Sequence, residues 1–390
     1  MGTSKDLLMA AADREPVGEI VLKYDYGASP HQVGIELVDL PDDGLFVDAT
    51  IDWGDGTREN VTAGVHGHAY ASDDTFTVRI SGTVPAFSNI AGPLSVKLIE
   101  CVSLGEGMSL TNLAGSFSRT GAGFVPPPQI PSSVTALDET FEASDFNADL
   151  SGWDVSNVVS MVETFASTDN FNGDITGWDV SSVVRFDEMF RRADAFNQDI
   201  SGWDTSSAQS FYYMFQSAEL FNQPIGSWDT SNVLDFSGMF ASTAAFNQPI
   251  GSWDTSKAQY LIDMFGGSEA FNQPIGSWDV SSVLNLNFTF SYSVFDQDIS
   301  GWDTSNVTSM YGTFAGSSVT GDVSSWNTAS VTDMNFIFSD CTVLPSGYGS
   351  WDVSSVEDMG EAFSYSSATV EDISGWDTSS VQNFYMMFYA

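Results

Sequence analysis

Arg185, Asp187, Glu188, Arg191, Arg192 and Asp194 lie within one short stretch of a chain that has few basic residues. A carboxylate pair with a cation beside it is the minimum for acid–base cleavage of a polysaccharide, one group protonating the leaving oxygen and another steadying the developing charge. Adjacent exposed charges of both signs also form ordinary ion pairs, each individually weak, and a solvated ion-pair patch is the expectation here. Asp52 and Asp55 carry oxygens of the kind calcium takes, but an Asp beside Gly reads first as a turn. His66 and His68 flank Gly67 and would share a metal only if both faced one side of a strand; a hairpin rim is expected. His31 is the third histidine, and none follows residue 68, so a Ser-His-Asp nucleophile is excluded from most of the chain. Cys101 and Cys341 stand 240 residues apart, which is neither a disulfide framework nor a ligand spacing, and both are expected as buried thiols. No catalytic residue, metal or cofactor is expected.

The elements that must position these groups are set by composition and period. The 390 residues carry 52 acidic and 11 basic side chains, a net charge of −41. Such a surface repels nucleic acid and anionic lipid, so neither is expected as a partner. With 42% hydrophobic and 13% aromatic residues the chain has enough apolar surface to fold. No run is long enough to span a membrane. Leu7 to Ala12 is short and follows Lys5 and Asp6, so it does not read as a signal peptide. The chain is expected to lack an ordinary export route.

A repeat dominates the rest. Tryptophan recurs at 153, 178, 203, 228, 253, 278, 302, 326, 351 and 376, in steps of 25 or 24, and a phenylalanine follows each by twelve residues, from Phe165 to Phe388. Apolar residues also recur five and eight places after the Trp, from Val158 and Met161 onward. Differences of three and four predict one face of a short helix. The stretch Phe-Asn-Gln-(Asp/Pro)-Ile ahead of each Trp predicts a short strand, since its Pro and Gly exclude a helix. Each unit must stack on its neighbours to close a core. Asp after the Trp is predicted to accept the first turn's amide hydrogens, and Asn172, Asn197, Asn222, Asn247 and Asn272 to form a ladder between coils. The expected fold is an α/β solenoid of 24–25-residue, leucine-rich-repeat-like units with an N-terminal all-β sandwich. Its parts are an arm at 1–16, a sandwich at 17–92, atypical capping repeats at 93–152 and ten units at 153–390.

Phe-Asn-Gln-Asp-Ile-Ser-Gly-Trp-Asp-Thr-Ser at 196–206 and Trp-Asp-Thr-Ser-Asn-Val-Thr-Ser-Met-Tyr-Gly-Thr-Phe at 302–314 resemble the BspA-like leucine-rich repeat surface proteins. The resemblance covers about three quarters of the chain and implies a non-enzymatic repeat array used for adhesion on cell surfaces. Ile-Asp-Trp-Gly-Asp-Gly-Thr at 51–57, with His68, Tyr70 and the run 75–82, resembles the immunoglobulin-like PKD domain. That likeness implies Trp53 packed between two sheets and Tyr70 at a strand start.

Aromatic residues outside the repeating core slots suit contact with sugars or proteins. Tyr212, Tyr213, Tyr260, Tyr311 and Tyr385 are the candidate binding residues, with Phe211 beside the first two. Three functions stay open. The first, and the preferred one, is an adhesion or receptor-binding protein on a virion, such as a tail fibre or capsid decoration. The missing signal peptide, the N-terminal arm, a β-sandwich hinge and a long repeat shaft suit a particle released by lysis, and the start at 4–12 is similar to those of some phage structural proteins. The second is a bacterial cell-surface adhesin, and the third a β-helix polysaccharide-cleaving enzyme. Expected partners are a cell-surface glycan or protein receptor, and a neighbouring structural protein or second copy at the N-terminal arm and the open C-terminal end. There Trp376, Val381, Phe384 and Phe388 fill core slots with no polar closing unit after them.

Overall fold

A computed structural model describes residues 18–26, 32–41, 44–70, 75–89, 96–105 and 107–389. The chain forms two compact units, Met1–Val158 and Val159–Ala390. The first opens with eight strands: β1 (Glu19–Tyr26), β2 (Gln32–Val38), β3 (Asp48–Asp52), β4 (Arg58–Val61), β5 (Gly64–Ala69), β6 (Thr75–Thr83), β7 (Ala86–Asn89) and β8 (Val96–Leu104). They make a five-stranded sheet, β4-β3-β6-β1-β8, and a three-stranded sheet, β5-β2-β7, in which every pairing is antiparallel.

Period-2 alternation builds this core. Ile20, Leu22 and Tyr24 on β1 and Val33, Ile35 and Leu37 on β2 are all buried. Trp53 is buried with its Nε1 on Glu59, and the Tyr70 hydroxyl donates to the Trp53 carbonyl at 2.6 Å. Tyr70 follows the last residue of β5 and does not start a strand. Strand edges lead straight into repeat-like coils in the same unit: Ala86 bridges Asn112, Glu100 bridges Val125, and Asn112 bridges Ala136, all in parallel. Leu110, Leu113, Phe117, Val134, Leu137, Phe141 and Phe146 line that core.

The second unit overturns the α/β solenoid expectation. Among the described residues there is no α-helix, and the one short helical element is a 3-10 turn at Tyr348–Ser350. Where a helix was expected, each coil runs through tandem turns. In the coil at 211–218, the amides of Phe211, Tyr213, Phe215 and Ser217 donate to the carbonyls of Asp235, Ser237, Met239 and Ala241, 24 residues on, at 2.8–3.0 Å. The amides between them, Met214, Gln216 and Ala218, donate back three residues. Two residues per coil adopt positive φ, here Tyr213 (50°) and Ser217 (56°). An α-helix needs negative φ at every residue and spends each amide four residues back within the same segment. These coils spend every second amide on their neighbour. A spacing of three and four reports how often the chain turns inward, which tandem turns satisfy as well as a helix does.

The strand expected before each Trp is likewise absent. Strand-like pairing in this unit is a row of single-residue parallel bridges, one per coil, running Ser160, Arg185, Ser210, Asp235, Tyr260, Asn285, Ser309, Asp333, Asp358 and Asn383, with one further bridge between Asp322 and Ser346. The Asn ladder forms as expected: Asn197, Asn222, Asn247 and Asn272 each donate a backbone N–H to the side-chain oxygen of the Asn one coil before, at 2.9–3.0 Å. The Asp after each Trp accepts from the amide two residues on, as Asp204 does from Ser206 and Asp254 from Ser256. It closes a turn where a helix cap was expected.

Aromatic columns fill the core. Phe165, Phe190, Phe215, Phe240, Phe265, Phe290 and Phe314 follow one another at 5.6–6.1 Å with rings within 12° of parallel. Phe171, Phe196, Phe221, Phe246, Phe271 and Phe295 form a second column at 5.9–6.1 Å. Trp253, Trp278, Trp302, Trp326 and Trp351 form a third at 6.0–6.5 Å.

Candidate binding surface

The tandem turns decide which aromatic side chains face outward. Residues eight and twelve places after a Trp point into the core, so Phe211 is fully buried and is a packing residue. The positions between them point away. Tyr212 is 38% exposed and meets the half-buried Tyr213 edge to face, with ring centroids 4.4 Å apart. Tyr311 is half-buried and bridges Phe288 at 4.9 Å and Phe336 at 5.5 Å. Tyr260 sits on the bridge row and is partly exposed, and Tyr385 is 66% exposed. The five candidates therefore do not form one site. Two of them meet each other, Tyr311 meets two residues that the sequence reading missed, Tyr260 lies on the bridge row, and Tyr385 holds the same place as Tyr212 and Tyr311 in another coil.

The missed residues are Phe288, Tyr292, Phe336 and Tyr365, all at positive-φ positions. A signal for some of them was present in the sequence. The Tyr213 ring lies against Gly238, Phe288 against Gly312 and Tyr292 against Gly316, in each case the glycine at the same place one coil later. A Cβ on Gly312 would come within 2.6 Å of the Phe288 ring. Glycine there both permits φ near 60° and leaves room for the ring before it.

Carboxylates surround these rings. Burial, then Glu188, Asp235 and Asp187, raises the Tyr212 hydroxyl above its usual range. Burial, then Asp263, pushes Tyr213 up to about 12. Tyr311 is raised by burial and by Asp333, Glu361 and Asp358. The Tyr292 hydroxyl donates to Asp340 at 2.7 Å, two coils on, and that bond with burial pushes it up to about 12. These hydroxyls stay neutral at any physiological pH, so they act as hydrogen-bond donors and apolar ring surfaces.

The mixed-charge patch is less solvated than expected. Arg185 grips one oxygen of Asp187 with two nitrogens, at 2.7 and 2.9 Å, while Arg191 lies between Glu163 and Glu188. Asp187 is only 8% exposed, and its other oxygen is buried without a hydrogen-bond partner. Burial raises the Glu188 carboxyl. Elsewhere a shallow groove of about 530 Å³ is lined by Leu234, Ser256, Lys257, Gln259, Ser282, Leu284 and Asn306.

The candidate metal ligands are committed to one another. Asp52 accepts from the Gly54 amide and from Arg58, and Asp55 pairs with His68 at 2.8 Å. That bond, with the Thr57 amide, holds the Asp55 carboxyl down at about 2. His66 and His68 do share a strand face, but His66 bonds the Thr62 carbonyl. Among the described residues no group of three His, Cys, Asp or Glu is placed to hold a metal ion. His31 lies outside the described residues. Cys101 and Cys341 are buried and free, and burial raises both thiols.

Comparison with known proteins bears on the repeats. A family model, DUF285, described as Mycoplasma protein of unknown function, matches in tandem over residues 131–225, 212–321 and 309–390. That tandem match agrees with the BspA-like repeat character of the array. No curated protein and no solved structure matches the chain. The three matches together span 131–390, two thirds of the chain, which therefore belongs to the DUF285 family.

Proposed function

We propose that this protein is a non-enzymatic adhesion or receptor-binding protein, contacting a cell-surface glycan or protein through the outward aromatic residues of its tandem turns. The observation that carries the reading is the cluster Phe288, Tyr311 and Phe336, which places aromatic rings of three successive coils on one surface. A rigid stack of coils presents such rings at little entropic cost on binding. Of the two settings, virion and cell surface, the family description supports the cell, because it names a cellular organism. The start of the chain, one of the grounds for the virion setting, lies outside the described residues. We also read residues 17–92 as a PKD-like module, on the strength of the buried Trp53 and the Tyr70 bond to its carbonyl.

Cell-binding and glycan-array assays on the full chain and on Tyr212→Ser and Tyr311→Ser variants test the main reading. Binding weakened by either substitution supports it, and binding unchanged by both assigns adhesion elsewhere. The enzyme reading has one observation in its favour, the buried unpaired oxygen of Asp187 beside the raised Glu188 carboxyl. Release of reducing ends from a polysaccharide, abolished by Asp187→Asn or Glu188→Gln, would restore it.

A further inference from the structure

From Ala258 to Ala390 the sequence contains no Lys, Arg or His and 16 Asp or Glu. Carboxylates in this stretch therefore have no cationic partner within it. In this same stretch lies the aromatic cluster of Phe288, Tyr311 and Phe336, with Tyr292 four residues after Phe288 on the same coil. Tyr292 is 61% exposed, and Phe288 is partly exposed with its ring held against Gly312. Asp333 and Asp358 stand on the bridge row beside Tyr311, and Glu361 lies within electrostatic reach of the same hydroxyl. Asn335, whose carbonyl takes the Gly312 amide, donates its side-chain nitrogen to Asp358, while its side-chain oxygen is buried with no donor. The surface thus offers ring surfaces and carboxylates without counter-ions.

We infer that this surface binds a cationic segment of a partner protein, with Lys or Arg side chains lying over Tyr311 and Phe336 and their charged ends among Asp333, Asp358 and Glu361. The inference rests on the binding reading above and narrows its partner. Charge complementarity selects the occupant. A neutral sugar would cover these carboxylates and leave them uncompensated, and an anionic chain would be repelled. A guanidinium or ammonium on an apolar stem matches both parts of the surface, the rings by cation–π contact and the carboxylates by charge-assisted hydrogen bonds. A bare divalent ion would use the carboxylates and leave the rings idle.

Calorimetric titration of the full chain at 20 and 150 mM NaCl, with the peptides (Arg-Gly)4 and (Lys-Gly)4 and a lysine-acetylated (Lys-Gly)4, tests this. The cationic peptides should bind, more weakly at the higher salt, and the acetylated peptide should not. Tyr311→Leu with Phe336→Leu keeps apolar volume and removes the rings, and should weaken binding about tenfold. Asp333→Asn with Asp358→Asn should do the same, and Leu220→Ser, at an exposed residue of an earlier coil, should change it less than twofold. Unaltered amide exchange over 286–338 in each variant establishes that it is folded. Equal binding of the acetylated peptide, no binding of the cationic peptides at 20 mM NaCl, or equal affinity in wild type and the Tyr311/Phe336 variant would each overturn the inference. Cell adhesion that survives the Tyr311/Phe336 variant but not Tyr212→Ser would sink this inference alone and leave the binding reading standing.

Discussion

Trp253 donates its Nε1 hydrogen to the carbonyl of Ile225, 28 residues earlier, at 3.1 Å. The same bond recurs from Trp228 to Ile200, from Trp278 to Ile250 and from Trp302 to Ile275. Each Trp therefore fills the core and satisfies a buried acceptor of the coil before it. Trp376 departs from this pattern, since its Nε1 is buried without a partner.

The contrast yields a paired prediction. Trp253→Ala should cost about 3–5 kcal/mol, with amide protection lost first between about 225 and 280, because each coil touches only its neighbours. Trp253→Phe should cost about 1 kcal/mol by removing the indole bond to the Ile225 carbonyl, which keeps the Trp228 amide as its other donor. Trp376→Phe should cost clearly less than Trp253→Phe. Urea unfolding of the three variants measures this, and equal costs for the two Phe substitutions would contradict a stabilising indole bond.

Gly312 and Phe288 should be coupled. Gly312→Ala places a methyl group against the Phe288 ring and puts a Cβ on a residue at φ 60°. The expected loss is about 2–3 kcal/mol, of which the backbone accounts for about 1. Adding Phe288→Ala should recover the steric part, giving a coupling of about 1–2 kcal/mol in a double-mutant cycle. Strict additivity would mean that the ring moves aside freely.

The Asn ladder needs an acceptor and no side-chain donor. Asn222 accepts from the Asn247 amide and from the Gln248 side chain. Asp296 holds the same place and accepts from the Thr320 amide at 2.8 Å. Asn222→Ala should therefore cost about 1 kcal/mol, while Asn222→Asp should stay near neutral. Thermal melts decide the matter, and an Asp variant as unstable as the Ala variant would argue against the ladder.

Asp263 should give stability a pH dependence near neutrality. Burial raises its carboxyl from 3.8 to about 6, so the folded state holds the proton more tightly than the unfolded chain does. Its contribution is then fully present below about pH 4, is lost as pH rises through 6, and is flat above. The full shift corresponds to about 3 kcal/mol, discounted to about 1–2 because part of the carboxyl meets solvent. Asp263→Asn should raise stability at pH 7.5 and remove this slope. The turn carboxylates act oppositely. Bonds from the Ser206 and Ser256 side chains and amides hold Asp204 and Asp254 below the usual range, so their contribution is present above about pH 4 and falls on further acidification. Unfolding free energies at pH 3, 5 and 7.5 separate the two effects.

The sequence by itself determined the period, the Trp and Phe columns and the Asn ladder. Each of these follows from a side chain repeated every 24 or 25 residues, and a stack converts identical offsets into contacts whatever the backbone between them does. Tertiary structure alone decided that backbone. Whether the Tyr213 amide bonds within its own segment or to Ser237 of the next coil depends on a neighbour's being in place, which no local spacing encodes. Side-chain direction followed from that choice: on tandem turns Phe211 points in and Tyr212 out, whereas the sequence reading had grouped both with the surface aromatics. The tertiary arrangement also brought Phe288, Tyr311 and Phe336 together. Phe288 and Phe336, each ten places after its Trp and at positive φ, both meet Tyr311, nine places after its own, a contact between coils that no local spacing encodes.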